Sequence, residues 1–128
     1  MNEALMQKSE FFDLIADKFR LLSDPQRLRL LNALRTREQS VGELVSVLQL
    51  SQPSVSKHLK LLHENGLLNR RQDGNQVYYQ IAEPMIFDLC NLMCSHLEER
   101  MKRQAQQAID MLQSGRPFEG LLHEGSGP

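Results

Sequence analysis

Ser40-Val41-Gly42-Glu43-Leu44-Val45-Ser46-Val47-Leu48-Gln49-Leu50-Ser51-Gln52-Pro53-Ser54-Val55-Ser56-Lys57-His58-Leu59-Lys60-Leu61-Leu62 holds two helices and the turn between them. Ser40 and Glu43 have the spacing of a capping box, in which the Ser40 hydroxyl accepts from the Glu43 amide and the Glu43 carboxylate reaches back to the Ser40 amide. A helix therefore starts near Val41. Past Leu48 the chain turns through Gln49 and Leu50 to Ser51, an N-cap. Pro53 falls in the first turn of the next helix, where a missing N–H costs nothing. Val55, Leu59 and Leu62 recur at i, i+4 and i+7 and make the buried stripe of this second helix, predicted to run to about Asn65. Pro53, Ser54, Ser56, Lys57 and Lys60 are left beside or opposite that stripe.

Downstream, Asn65-Gly66 suits a left-handed helix end, and Asp73-Gly74-Asn75 joins two short strands. Val77, Tyr79 and Ile81 alternate inward; Gln76, Tyr78 and Gln80 face outward with the Arg70-Arg71 pair. Turn, polar helix and basic hairpin in this order make a helix-turn-helix followed by a β-wing. The chemistry is that of a duplex DNA reader. Small hydroxyls let the backbone approach the major groove, Gln52 suits an adenine edge, and Lys57 and Lys60 neutralise phosphate. Arg70, Arg71, Gln76 and Tyr78 suit phosphate or minor-groove contact. Any one of these residues is explained equally well as a solvated face, so the ordered combination carries the reading.

The 128 residues and 41% hydrophobic content suit one small domain. A formal charge of -1 is at odds with DNA binding until it is divided along the chain. Residues 51 to 80 carry Lys57, Lys60, Arg70 and Arg71 against Glu64 and Asp73, residues 1 to 50 balance, and the excess acid follows residue 80. A modest positive field on an acidic body implies salt-dependent, easily released binding. No apolar run approaches the roughly 20 residues of a membrane span, and the N-terminus has acids and no signal-like apolar core, so a cytoplasmic location is expected. There the two cysteines are thiols rather than a structural bridge. The glycine-rich segment 114–128, with His123, reads as a loosely ordered tail beyond a domain over 9–113.

Upstream, Ser9 to Leu22 forms a helix whose Phe11, Phe12, Leu14, Ile15, Phe19 and Leu22 exceed one stripe. Asp24 caps a second helix opened by Pro25, with Leu28, Leu31 and Leu34 as its packing stripe and Arg27 and Arg29 flanking. The last helix opens at Pro84 and keeps its periodicity to about Gln113, about 45 Å at 1.5 Å per residue. A domain of this size is roughly 36 Å across. The helix therefore overshoots its own domain. Its face of Ile86, Leu89, Cys90, Met93, Cys94, Leu97 and Met101 needs a second copy of the chain. Two-fold pairing with the surface of helix one would set recognition helices roughly 34 Å apart on an inverted-repeat operator.

Asp24-Pro25-Gln26-Arg27-Leu28-Arg29-Leu30-Leu31, Val41-Gly42-Glu43-Leu44, Leu50-Ser51-Gln52 with Ser56-Lys57-His58-Leu59, and Val77-Tyr78-Tyr79 together resemble the ArsR family of winged-helix repressors over about residues 10 to 104. The resemblance implies a mainly α winged helix-turn-helix with a two-stranded β-wing: four helices, two strands and a fifth helix, dimerising through helices one and five. It implies operator binding relieved by an inducer, often a metal or metalloid ion, or by thiol oxidation. It also implies that Gln52, Ser54, Ser56 and His58 lie at or near DNA, although helical geometry sets His58 beside the core stripe.

The arsenite-sensing members carry a cysteine pair on helix three; here that stretch is Glu43-Leu44-Val45-Ser46-Val47. The zinc-sensing pattern aligns with Glu83, Met85, His96 and Glu99, and Met85 offers a thioether that zinc does not favour. His96 and Glu99 also read as a solvated helical pair. Cys90 and Cys94, one turn apart in a methionine-rich helix, are the sharper candidate for a thiophilic ion or a thiol oxidant, while simple packing of small hydrophobic thiols explains them as well. No catalytic constellation competes, so no enzyme is expected. Two other readings are a winged helix serving only dimerisation and a small redox enzyme; the latter needs Cys-x-x-Cys at a helix N-terminus, which is not the spacing here.

Overall fold

In the computed structural model, which describes residues 9–114, four helices and a small antiparallel sheet precede a long fifth helix. The order is α1 (Ser9–Leu21), α2 (Pro25–Ala33), β1 (Gln39–Ser40), α3 (Val41–Leu48), α4 (Gln52–Glu64), β2 (Leu68–Asp73), β3 (Gln76–Ile81) and α5 (Ile86–Ser114). The chain forms two compact units that meet between Pro84 and Met85. Ser114 closes α5, and the rest of the expected tail, with His123, lies outside the described residues.

The helix starts follow from their caps. Asp24 accepts from the amides of Gln26 and Arg27 at 2.8 and 3.2 Å. Ser40 Oγ accepts from the Glu43 amide at 3.1 Å, and Glu43 Oε1 accepts from the Ser40 amide at 3.4 Å, completing the capping box. Ser51 Oγ accepts from the Ser54 amide at 3.3 Å. Gly66, at φ 82°, takes the chain out of α4 in the left-handed region, as expected for a residue without Cβ. The turn between α3 and α4 instead rests on Gln49 at φ 54°, a conformation that costs a non-glycine residue about 1 kcal/mol.

Leu30, Leu31 and Leu34 of the second helical segment, Leu44 of α3, and Val55, Leu59 and Leu62 of α4 are buried together with Leu67, Leu68 and Tyr79 of the wing. The α4 stripe is the one expected. The α2 stripe is not: Leu28 is 39% exposed while Leu30 is fully buried. The helical set i, i+3, i+4, i+7 here is Arg27, Leu30, Leu31 and Leu34, so the stem of Arg27 fills the first core position.

The sheet has order β1-β3-β2, with one strand more than the expected two-stranded wing. Gln39 and Ser40 pair antiparallel with Tyr79 and Tyr78, and two residues are too few to show a period-2 pattern in sequence. On the hairpin itself Arg70 pairs with Tyr79 and Arg71 with Tyr78.

Leu21 of α1 is buried, whereas Phe12, Leu14, Ile15 and Phe19 are exposed, the apolar excess expected of this helix. Lys18 donates to the Asn65 carbonyl at 2.8 Å and ties α1 to the end of α4. In α5, 29 residues long, every position from Asn91 to Ser114 is exposed. Among the described residues no helix is long and apolar enough to cross a membrane.

Candidate nucleic-acid interface

With Val55, Leu59 and Leu62 turned into the core, α4 presents Gln52, Ser56 and Lys60 on a four-residue ridge along its outer side. Together with His63 they form one wall of a cleft of about 910 Å³, closed on the far side by Arg70, Asn75 and Gln76 of the wing and floored by Val45, Val77 and Tyr79. His63 meets the Tyr79 ring edge-on at 6.2 Å, which braces the end of α4 against β3. The cleft walls carry two cations, one carboxylate from Glu64, amides and a hydroxyl. Lys60 has only a long 4.0 Å contact with Glu64, and Arg70 makes no ion pair with a described residue. Lys57 is exposed on α4 but does not line the cleft.

Arg70 and Arg71, expected as a pair on one face, are divided by the strand pleat. Arg70 shares a face with Tyr79 and enters the cleft; Arg71 shares the opposite face with Tyr78 and Gln76-Asp73 at the hairpin end. Arg71 is already engaged. Its Nη2 and Nε donate to the two Glu38 carboxylate oxygens at 2.7 and 3.1 Å, its Nη1 lies 3.7 Å from Asp73, and its guanidinium sits 4.6 Å from the Tyr78 ring centroid. The Arg71 hydrogen bond holds the Glu38 carboxyl below its ordinary value, and Glu38 in turn raises Arg71.

Ser54 and His58 are turned toward α2. Ser54 Oγ donates to Gln26 Oε1 at 2.8 Å, and His58 Nε2 lies 3.0 Å from the same oxygen. An acceptor at that position places the imidazole proton on Nε2 and leaves Nδ1 to accept from Arg27 Nη1 at 3.4 Å. Arg27 also donates from Nε to the Leu21 carbonyl and from Nη2 to the Arg20 carbonyl, at 2.8 and 2.9 Å, satisfying the last turn of α1. Burial opposes ionisation of Asp24 beside this cluster, but the amides of Arg27 and Gln26 prevail and lower its carboxyl. The His58 side chain, 14% exposed, thus orients α4 from behind. Gln26, Arg27 and Glu38 were not singled out as site residues in the sequence: their partners lie some thirty positions away, and no local spacing marks such contacts.

On α5, Cys90 is half-buried and Cys94 exposed, both as free thiols. Among the described residues no group of three or more His, Cys, Asp or Glu side chains is placed to hold a metal ion; His96 and Glu99 lie exposed on α5, and Glu83 is exposed ahead of it.

Residues 24–70 match the family model described as bacterial regulatory protein, arsR family. Over 85 residues the chain is 35% identical to a transcriptional repressor SmtB homolog of Synechocystis, a match covering 66% of this chain and 64%, just under two thirds, of that relative. It is 37% identical over 70 residues to the arsenical resistance operon repressor of Staphylococcus aureus, covering 55% of this chain and 67% of the relative. The crystal structure of Mycobacterium tuberculosis Rv0081 superimposes with a TM-score of 0.68 at 32% identity, covering 77% of this chain and 99% of that one.

Proposed function

The chain belongs to the arsR family of bacterial regulatory proteins, and from that premise we propose that it is a homodimeric, operator-binding transcriptional repressor released by an inducer. The observation that carries this reading is the cleft between α4 and the wing, whose lining of Gln52, Ser56, Lys60, Arg70 and Gln76 sets base-reading amides beside two cations, with Glu64 as the one carboxylate near Lys60. A duplex lying against α4 puts a phosphodiester strand in the cleft: Lys60 and Arg70 meet phosphate there, and Gln52 and Ser56 meet base edges. Lys57 adds a phosphate contact on α4 outside the cleft, and Tyr78 lies on the wing for the neighbouring groove. Ser54 and His58 act one step back, through Gln26, by fixing the angle of α4. A winged helix serving only dimerisation has no use for an Arg70 without an ion pair to any described residue, set beside amides and a hydroxyl in one cleft.

Lys60→Ala and Arg70→Ala should each weaken cognate and scrambled duplexes about equally and reduce the slope of log K against log salt by about 0.9 per phosphate lost. Fluorescence anisotropy across a salt series measures both, and unchanged slopes would remove these residues from the interface.

For the inducer, Cys90 and Cys94 offer two soft donors one helical turn apart on an accessible helix, and the relative named for arsenical resistance supports an effector of thiophilic class. A thiophilic ion or a thiol-directed oxidant acting there would disturb α5 and so the spacing of the two readers. Zinc is not assigned a part in release. Replacing both cysteines with serine should leave operator affinity unchanged and abolish release by arsenite, copper(I), peroxide and polysulfide. Release that survives in the double variant would make the thiols packing residues.

A further inference from the structure

Arg71 is the one wing cation whose fork is filled by a carboxylate from another strand segment of the fold. It reaches from β2 across the Tyr78 ring on β3 to Glu38, the residue that leads into β1, and holds both carboxylate oxygens. Arg71, Glu38 and Asp73 together carry a net charge of -1, so this outer face of the wing offers duplex DNA no positive field while the bridge is closed. Carboxylate and phosphate satisfy a guanidinium with the same bidentate geometry, and either can occupy the fork. The bridge is accessible, with Arg71 and Glu38 side chains 51% and 31% exposed, so exchange needs no unfolding.

We propose that Glu38 is a specificity residue: it stands in for a DNA phosphate at Arg71 and yields only where contacts made by α4 hold the duplex in register. This rests on the DNA-binding reading above. On a non-cognate duplex, opening the bridge exposes a carboxylate beside the phosphates, and the exchange gains nothing. On the operator, the base contacts of α4 fix the phosphate close enough to displace it. Glu38 therefore suppresses non-specific binding more than specific binding.

The test compares wild type, Glu38→Gln, Arg71→Ala and the double variant on an operator duplex and a scrambled duplex of equal length, by anisotropy across a salt series. Glu38→Gln should tighten the scrambled duplex about fivefold and steepen its salt slope by about 0.9, with a smaller gain on the operator. In the Arg71→Ala background the same change should not steepen the slope, because no guanidinium is freed for phosphate. If Glu38→Gln weakens both duplexes, the bridge is a structural clamp and the proposal fails. An unchanged slope also overturns it, since Arg71 then gains no phosphate. Wild type without salt-dependent binding to either duplex would instead refute the DNA-binding reading itself.

Discussion

Leu59→Ala is expected to lower the free energy of unfolding by about 2–5 kcal/mol, the range for deleting a fully buried leucine in a core that collapses only partly around the cavity. Leu59 is completely buried on α4, and α4 packs on α2, α3 and β2, so the cavity opens where three elements meet. Domains of this size have only about 5–15 kcal/mol of stability, and each kcal/mol moves the midpoint by about 4–8 °C, so a drop of at least about 8 °C in Tm follows. Urea unfolding with an unchanged m-value is the deciding measurement. Leu28→Ala serves as the control. That residue is 39% exposed and is expected to lose under about 1 kcal/mol, which separates the observed α2 stripe from one containing Leu28. A loss below 1 kcal/mol for Leu59→Ala would mean that α4 is not anchored through this stripe.

What could be read from the sequence and what could not divide by the range of the interaction. Ser40 with Glu43, Asp24 with Pro25, Ser51 with Pro53, and the glycines at 66 and 74 act within four residues of themselves, so their spacing alone announces the helix starts and turns. The buried face of α4 was legible for the same reason. Gln49 in the left-handed region carries no such mark, because the residue is not one that favours the conformation; it stands at the C-cap of α3, where its amide donates to the Val45 carbonyl. Arg27 in the core stripe of α2 was hidden because its charge suggests the surface, while carbonyls of Arg20 and Leu21 and the His58 ring satisfy its head inside. The candidate interface split along the same line. The cationic and polar residue types were apparent, but which of them enters the cleft depends on β-register and on partners distant in sequence. Arg70 and Arg71 are adjacent, yet one faces the cleft and the other Glu38.

Leu97→Glu combined with Met101→Glu is expected to leave the protein monomeric and to weaken operator binding by about 10²–10⁴-fold, the advantage that linking two sites confers. In α5, Leu89, Met93, Leu97 and Met101 recur every four residues as one ridge, and Leu92, beside it, is 72% exposed. An isolated helix of this kind would leave that ridge in water along about 18 Å of its roughly 43 Å. Soluble chains rarely present so continuous an apolar face unless another surface covers it. A second copy meets the need most simply, because a two-fold axis lets the same surface serve both partners, and two copies bring two α4 helices to one operator. Two carboxylates on each copy would bring four like charges into a desolvated seam, a cost no rearrangement of methionines can absorb. Because the substituted positions are exposed within the chain, the winged unit should keep its Tm under conditions where wild type is also monomeric, which separates loss of pairing from loss of fold. Sedimentation velocity then reads the association directly, and anisotropy on whole and half operators reads its consequence: the variant should bind both equally, whereas wild type should prefer the whole site. A variant that still sediments as a dimer would place the pairing surface away from α5, with the exposed Phe12, Leu14, Ile15 and Phe19 of α1 as the remaining apolar face able to supply it.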